Sequence, residues 1–274
     1  MERFVEVPGG RLFVVDDGVG RPLVLIHAAI VDLESWDPMV PDLVARGYRV
    51  IRYDMRGFGR TETADVEYNP RADLVAVMDT LAVDRAAVVG NSRGGQTALE
   101  AAIEFPGRLA AVVTLGSSPG GFDGGTTPLE ADIFARADRL AAARPLDEGA
   151  MTDLLVEVWA DGPGQPPTRL PAHLRAEIWR KAHRQFEPGR VAGRIVPLTP
   201  PGNDRLGEIR CPVLAVAGTL DISHEVKAAE RVASAVADGR AVIWTDVAHL
   251  IGMEQPGRLA ALVAEFLAPL EGWS

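Results

Sequence analysis

The chain has 274 residues, of which 47% are hydrophobic and 24% charged. This composition excludes disordered, collagen-like and disulfide-scaffold proteins and fits one large core with room for a subdomain. With 28 Lys+Arg against 38 Asp+Glu, the formal net charge is -10, so the molecule repels phosphate backbones and nucleic acid is not expected as a partner. The single cysteine, Cys211, excludes an internal disulfide and any multi-cysteine metal site.

In chain order, Phe4–Val7 and Arg11–Val15 read as an antiparallel hairpin across Pro8-Gly9-Gly10. Leu23–Ile26, Arg49–Tyr53 and Ala86–Val89 are almost continuously apolar, the mark of strands buried on both faces. Between them the spacing predicts helices over Trp36–Arg46 and Pro70–Leu81, the second with Asn69 as N-cap and Pro70 at its first position. Helix Arg93–Glu104 and strand Leu109–Leu115 continue the alternation. From about Pro119 glycines open a long helical stretch, predicted over Leu129–Ala143, Asp147–Ala160 and Ala172–Phe186. Strands Val213–Ala217 and Ala241–Trp244, with helices near Glu225–Val236 and Pro256–Leu267, then restore the βαβ pattern. The fold class is therefore α/β, with core segments 1–118 and 207–274 and a helical cap over 119–206. The first fifteen residues lack a basic start followed by an apolar run, and the longest apolar run is Leu259–Ala264. A cytoplasmic location away from membranes is expected.

Gly90-Asn91-Ser92-Arg93-Gly94 sits between an apolar strand and a helical run, the strand-turn-helix context that gives G-x-S-x-G its meaning. A serine on so sharp a turn needs glycine two positions either side, because a Cβ there would strike the adjoining strand or helix. The hydroxyl needs an imidazole to take its proton, and the imidazole needs a third group to orient it. Of His27, His173, His183, His224 and His249, His249 is the best base, because its loop follows the last strand and can reach back to Ser92. His173 and His183 read as lying on solvated faces. The acid is Asp221, just past the end of Val213–Ala217, in preference to Asp246, which shares the histidine's loop. Ser92, Asp221 and His249 also occur in the chain order of a sheet-based triad.

These residues resemble the α/β-hydrolase superfamily. Leu23-Val24-Leu25-Ile26-His27 with Trp36 downstream, Asp54-Met55-Arg56-Gly57-Phe58-Gly59-Arg60-Thr61, Gly90 to Gly95, Gly218 to Asp221 and His249 carry the likeness. It implies a mostly parallel eight-stranded sheet with helices on both faces, a helical cap inserted after the sixth strand, and a nucleophile-acid-histidine triad. The resemblance also implies an oxyanion hole built from the backbone N–H of Arg93 and, by similarity to the family's His-Gly-x turn, that of Ala29, although Ala28 stands where the family usually shows glycine. Relatives that open epoxides or displace halide carry aspartate at the elbow, so Ser92 argues against both.

The expected activity is hydrolysis of a small carboxylic ester or lactone through an acyl-enzyme. The alternatives are C–C bond hydrolysis of a vinylogous diketone, for which Asn91 before the serine is a slender pointer, cofactor-free perhydrolysis, and a ligand-binding receptor on the same fold. The partner is a small-molecule substrate, and a homodimer is allowed. No cofactor and no metal are implied. Phe134, Trp159 and Trp179 are candidates to line the substrate pocket. The Arg93 side chain is either tied to a carboxylate such as Glu100 or greets an acidic group on the substrate. Cys211 reads as a small buried apolar residue and Asp54–Thr61 as a structural loop.

Overall fold

A computed structural model describes residues 1–273. Eight strands form the central sheet: β1 (Glu2–Val7), β2 (Gly10–Asp17), β3 (Arg21–Ile26), β4 (Tyr48–Tyr53), β5 (Ala86–Asn91), β6 (Leu109–Leu115), β7 (Val213–Gly218) and β8 (Gly239–Trp244). Their spatial order is β1-β2-β4-β3-β5-β6-β7-β8. β2 runs antiparallel to both β1 and β4, and every other neighbouring pair is parallel. The two-residue strand Glu62–Thr63 extends β2 at its edge.

Apolar side chains leave both faces of the sheet, so each face needs a cover. One face packs Val24, Ile26, Val88 and Val112 beneath helices α2 (Pro70–Thr80) and α3 (Arg93–Glu104). The other packs Leu23, Leu25, Val89 and Val113 against α1 (Val40–Ala45) and α8 (Pro256–Leu267), with α7 (Ser223–Ala235) completing the first layer. Asn69 caps α2 by accepting from the N–H groups of Arg71 and Ala72, with Pro70 at the first helical position.

The predicted helix Trp36–Arg46 is two pieces, a 3-10 turn Leu33–Trp36 and α1. Pro38 and Pro41 lack the N–H groups a continuous helix would use. Three helices, α4 (Pro128–Ala142), α5 (Glu148–Val156) and α6 (Ala172–His183), lie across the C-terminal ends of the strands. Val156, Ala160, Ile178 and Ala182 pack on Ala28, Ile30 and Val31 after β3 and on Leu250 and Met253 after β8, while Ile133, Leu154 and Val158 pack on Ile222 after β7. The helix expected over Asp147–Ala160 ends sooner. Past Val156 it widens into a π turn, Glu157–Asp161, which stops at Gly162 with φ 93° and turns Trp159 toward the sheet ends. A two-residue parallel ribbon, Glu67–Tyr68 with Arg194–Ile195, ties the return segment to the core. No helix among the described residues is long and apolar enough to cross a membrane.

Candidate active site

Ser92 follows β5 and precedes α3, at φ 55° and ψ -119°, a backbone conformation that costs energy for any L-residue and clusters at functional sites. Its neighbours make this turn sterically feasible. A Cβ on Gly90 would overlap the Gly94 carbonyl, and a Cβ on Gly94 would overlap the carbonyl of Ile26 on β3, so only glycine lets helix and strands approach this closely. The turn holds Ser92 half-buried at the helix N-terminus, where unsatisfied N–H groups gather.

His249 and Asp221 meet in the loops that follow β8 and β7. His249 Nδ1 lies 2.8 Å from Asp221 Oδ2, and Asp221 Oδ1 accepts the N–H of Ile222 at 2.8 Å. Both side chains are buried. The carboxylate therefore fixes Nδ1 as the protonated nitrogen and leaves Nε2 free to take a proton. Burial pulls the His249 pKa down, but the charge and hydrogen bond of Asp221 outweigh it, and the net movement is upward from 6.5. Gly116, at φ 48° just past β6, makes room for the pair: a Cβ there would stand 2.6 Å from Asp221 Oδ2 and 2.9 Å from His249 Nδ1. Asp246 is exposed, at φ 59°, with its N–H on Thr219, and takes no part.

Ser92 and His249 both line a cavity of about 370 Å³, as do Ala28, Ala29, Arg93 and Trp159. No hydrogen bond joins Ser92 Oγ to the imidazole among the described residues; such contacts are commonly long until substrate fills the site. Val31 N–H and His27 both bond the Ala28 carbonyl, at 3.2 and 2.8 Å, which fixes the turn that presents Ala29. Ala28 is absent from the positive-φ positions, so this turn does not need the glycine usual there. Among the described residues neither the Ala29 nor the Arg93 amide has a protein acceptor, and both residues line the cavity.

Asn91 Nδ2 donates to the carbonyls of Leu115 and His249, at 2.8 and 3.1 Å, so β5, its neighbour β6 and the His249 loop are bound together. That loop is also held from above. Arg169 makes a two-toothed ion pair with Glu254, at 2.6 and 2.8 Å, and Glu254 accepts the Ala248 N–H at 3.2 Å. The Trp159 ring lies 4.5 Å from the His249 ring. The other two aromatic candidates are elsewhere. Phe134 packs among Ile133, Leu154 and Val158, and Trp179 stacks on His183 while its indole N–H bonds Asp153.

The Arg93 guanidinium is exposed and has no carboxylate partner among the described residues. Glu100, the suggested partner, is taken by Arg71 and Gln96. None of the remaining histidines lines the cavity. His27 is fully buried, accepts the Met55 N–H on Nε2, and is held down to about 4 by desolvation. His183 is bonded to Thr152 and stacked on Trp179 rather than solvated, and His173 is exposed. Asp54 accepts the N–H groups of Leu33 and Arg60, pinning its loop. Cys211 is buried, and burial pushes its thiol up to about 11, far from reactivity. Sequence reasoning passed over Gln96, Ser118, Gln185 and Glu225, the other polar residues of the cavity wall. No group of three or more His, Cys, Asp or Glu among the described residues is placed to hold a metal ion.

A model of the alpha/beta hydrolase fold matches residues 21–164, more than half of the chain. The chain belongs to the alpha/beta hydrolase fold family. It is 29% identical to the 2-hydroxymuconate semialdehyde hydrolase of Pseudomonas sp. strain CF600 over 97% of its own length and 93% of that relative's. It is 27% identical to a 2-hydroxy-6-oxononadienedioate/2-hydroxy-6-oxononatrienedioate hydrolase of Klebsiella pneumoniae, covering 97% and 95% of the two chains. Among solved structures it is similar to an N-acyl homoserine lactone degrading enzyme, with TM-score 0.73 and 25% identity over 96% of this chain and all of the other. The enol-lactonase of Burkholderia xenovorans LB400, at TM-score 0.75 and 24% identity over 97% and 100% of the two chains, shares the fold. The chain is thus a hydrolase.

Proposed function

We propose that this hydrolase cleaves a small carboxylic ester or lactone through an acyl-enzyme. The observation that carries the reading is that His249, 2.8 Å from Asp221, lines the same cavity as a serine at positive φ. His249 Nε2 takes the Ser92 proton as Oγ adds to the carbonyl carbon, and Asp221 stabilises the imidazolium. The Ala29 and Arg93 amides receive the developing oxyanion, each such donor being worth about 2.7–4 kcal/mol of transition-state stabilisation. Collapse expels the alcohol with the proton from His249. Water, deprotonated by the same imidazole, then releases the acid and restores Ser92. The helices over 128–186 act as a lid that excludes bulk water and shapes the acyl pocket.

A C–C bond hydrolase is the second reading, favoured by the full-length likeness to the relatives from Pseudomonas and Klebsiella. Asn91 adds little to it, since its amide is spent on the backbone of Leu115 and His249. A fluorophosphonate is expected to label Ser92 stoichiometrically, with labelling lost in Ser92→Ala and His249→Ala. A folded wild type that does not label would favour a receptor. Comparing p-nitrophenyl acetate and butanoate with a panel of dienol ketones then separates the two hydrolytic readings by which class is turned over.

A further inference from the structure

Glu225 lies in the first turn of α7, is 8% exposed, and forms part of the cavity wall. One carboxyl oxygen, Oε1, is 3.4 Å from Ser118 Oγ; the other, Oε2, is buried with no partner. Ser118 follows β6, is half-buried and lines the same cavity. A buried polar atom left unpaired is costly, and here the neighbouring free space is the place that substrate would fill. No step of the hydrolytic cycle uses either residue.

We propose that Ser118 and Glu225 form a substrate-recognition pair that donates a hydrogen bond to an uncharged acceptor oxygen of the substrate, a ketone, ether or ring oxygen separate from the scissile carbonyl. This rests on the reading of Ser92 as nucleophile. With Glu225 neutral, the pair holds two O–H groups: one joins the partners and the other is left for the ligand. With Glu225 ionised, the only O–H is drawn to the carboxylate and the pair offers lone pairs alone, which repel an acceptor.

The surroundings favour the neutral form. Burial pushes Glu225 up to about 7, with the charge of Asp221 adding to it, while the imidazole of His249 and the Ser118 hydrogen bond work against it without cancelling it. Arg93 lines the same cavity at the start of α3. The other charged and titratable groups nearby are engaged elsewhere: His224 against Phe122 with Nδ1 on the Gly124 N–H, Lys227 on the Gly124 carbonyl, and Glu130 of α4 on Ser223.

The test compares second-order rates of Ser92 phosphonylation by two fluorophosphonates that differ in one position of the chain, a methylene in one and an ether oxygen in the other. Because both rates depend on His249 equally, their ratio isolates recognition. In wild type the ether probe is expected to gain about tenfold over the alkyl probe at pH 6, the worth of roughly one hydrogen bond, and to lose that gain by pH 8.5. Glu225→Gln, which keeps donors at every pH, should hold the ratio constant across this range; Glu225→Leu should set it near one throughout. A wild-type ratio that does not change with pH, a Glu225→Gln ratio that still falls, or a preserved ratio in Glu225→Leu overturns the proposal. Labelling by the alkyl probe reports that each variant is folded, and if Glu225→Leu is not, the Gln variant decides. A wild type that labels with neither probe overturns the nucleophile assignment itself, and this proposal with it.

Discussion

Lys181 Nζ, on α6, lies 2.6 Å from Asp32 Oδ1, and both side chains are almost wholly buried. Asp32 belongs to the loop that leaves the Ala28–Val31 turn, so this pair joins the helical layer to the backbone beside the cavity. Arg184 and Glu34 add a second partner on each side, at 2.9 and 2.7 Å. Lys181→Met leaves Asp32 with Arg184 and the Glu34 N–H, and should cost about 1–3 kcal/mol of stability, less than the loss of an isolated buried pair. Calorimetry should show the lowered Tm, and steady-state kinetics a KM raised more than kcat is lowered, because the layer that shapes the pocket is loosened while the groups at Ser92 are untouched. Equal kcat and KM in both proteins would contradict the link.

Gly116 offers a sharper probe of the His249–Asp221 pair. In Gly116→Ala the new methyl would fall within 3 Å of both side chains and force them apart. Since a misplacement of about 1 Å can cost on the order of 100-fold, kcat should fall by that order. The expected accompaniment is a pH profile whose acid limb moves to lower pH, as the imidazole loses the carboxylate that holds its pKa above 6.5. A profile that keeps its wild-type limb would show that the pair is intact.

His27 predicts a slope in stability. The unfolded chain binds a proton at this group near pH 6.5 and the folded chain refuses it until about 4. The group's contribution is therefore complete above 6.5 and is lost as pH falls toward 4, by about 3 kcal/mol in all. Asp54 acts in the opposite sense. Its folded pKa is raised to about 6 by burial, so its contribution is greatest at low pH and declines as pH rises toward 6. Urea titrations of wild type and His27→Gln at pH 4, 5.5 and 7 separate the two: the difference in stability between them should shrink as pH falls, whatever constant offset the substitution brings.

Arg93 carries an unpaired charge at the cavity. It is solvent-exposed, so its worth to an anionic substrate is modest, on the order of 1 kcal/mol, or five- to tenfold. Arg93→Gln should lower kcat/KM by that factor for an ester bearing a distal carboxylate and leave a neutral ester of the same length unchanged. Equal losses on both would assign the effect to the turn rather than to charge.

Much of this arrangement was legible because the sequence signals were local and reinforced each other. Helix Arg93–Glu104 and strand Leu109–Leu115 fall on the residues their patterns predict, since glycines, apolar runs and the strained serine all point the same way. The break in Trp36–Arg46 was available from Pro38 and Pro41, but the helical spacing masked it. The ribbon Glu67–Tyr68 with Arg194–Ile195 was not, because two-residue strands have no periodicity to read. Phe134 and Trp179 failed as pocket candidates because aromatic content says nothing of which side of a helix meets a cavity. Ser118 and Glu225 escaped for the same reason: one is a serine after a strand, the other a glutamate on an amphipathic helix, and only the packing of β6 against β7 brings them together.

The span from Arg169 through Glu254 to Ala248 has a consequence for how the molecule would answer its ligand. Arg169 also holds the carbonyls of Ala160 and Asp161 at 2.6 Å, so the π turn carrying Trp159 and the residue before His249 hang from one guanidinium. A ligand that wedges the roof upward would tug on the loop bearing the imidazole, and by reciprocity anything that steadies that imidazole draws the roof down. Entry and reactivity are then two readings of a single balance, and a substrate too large to let the roof settle would be met by a slackened base.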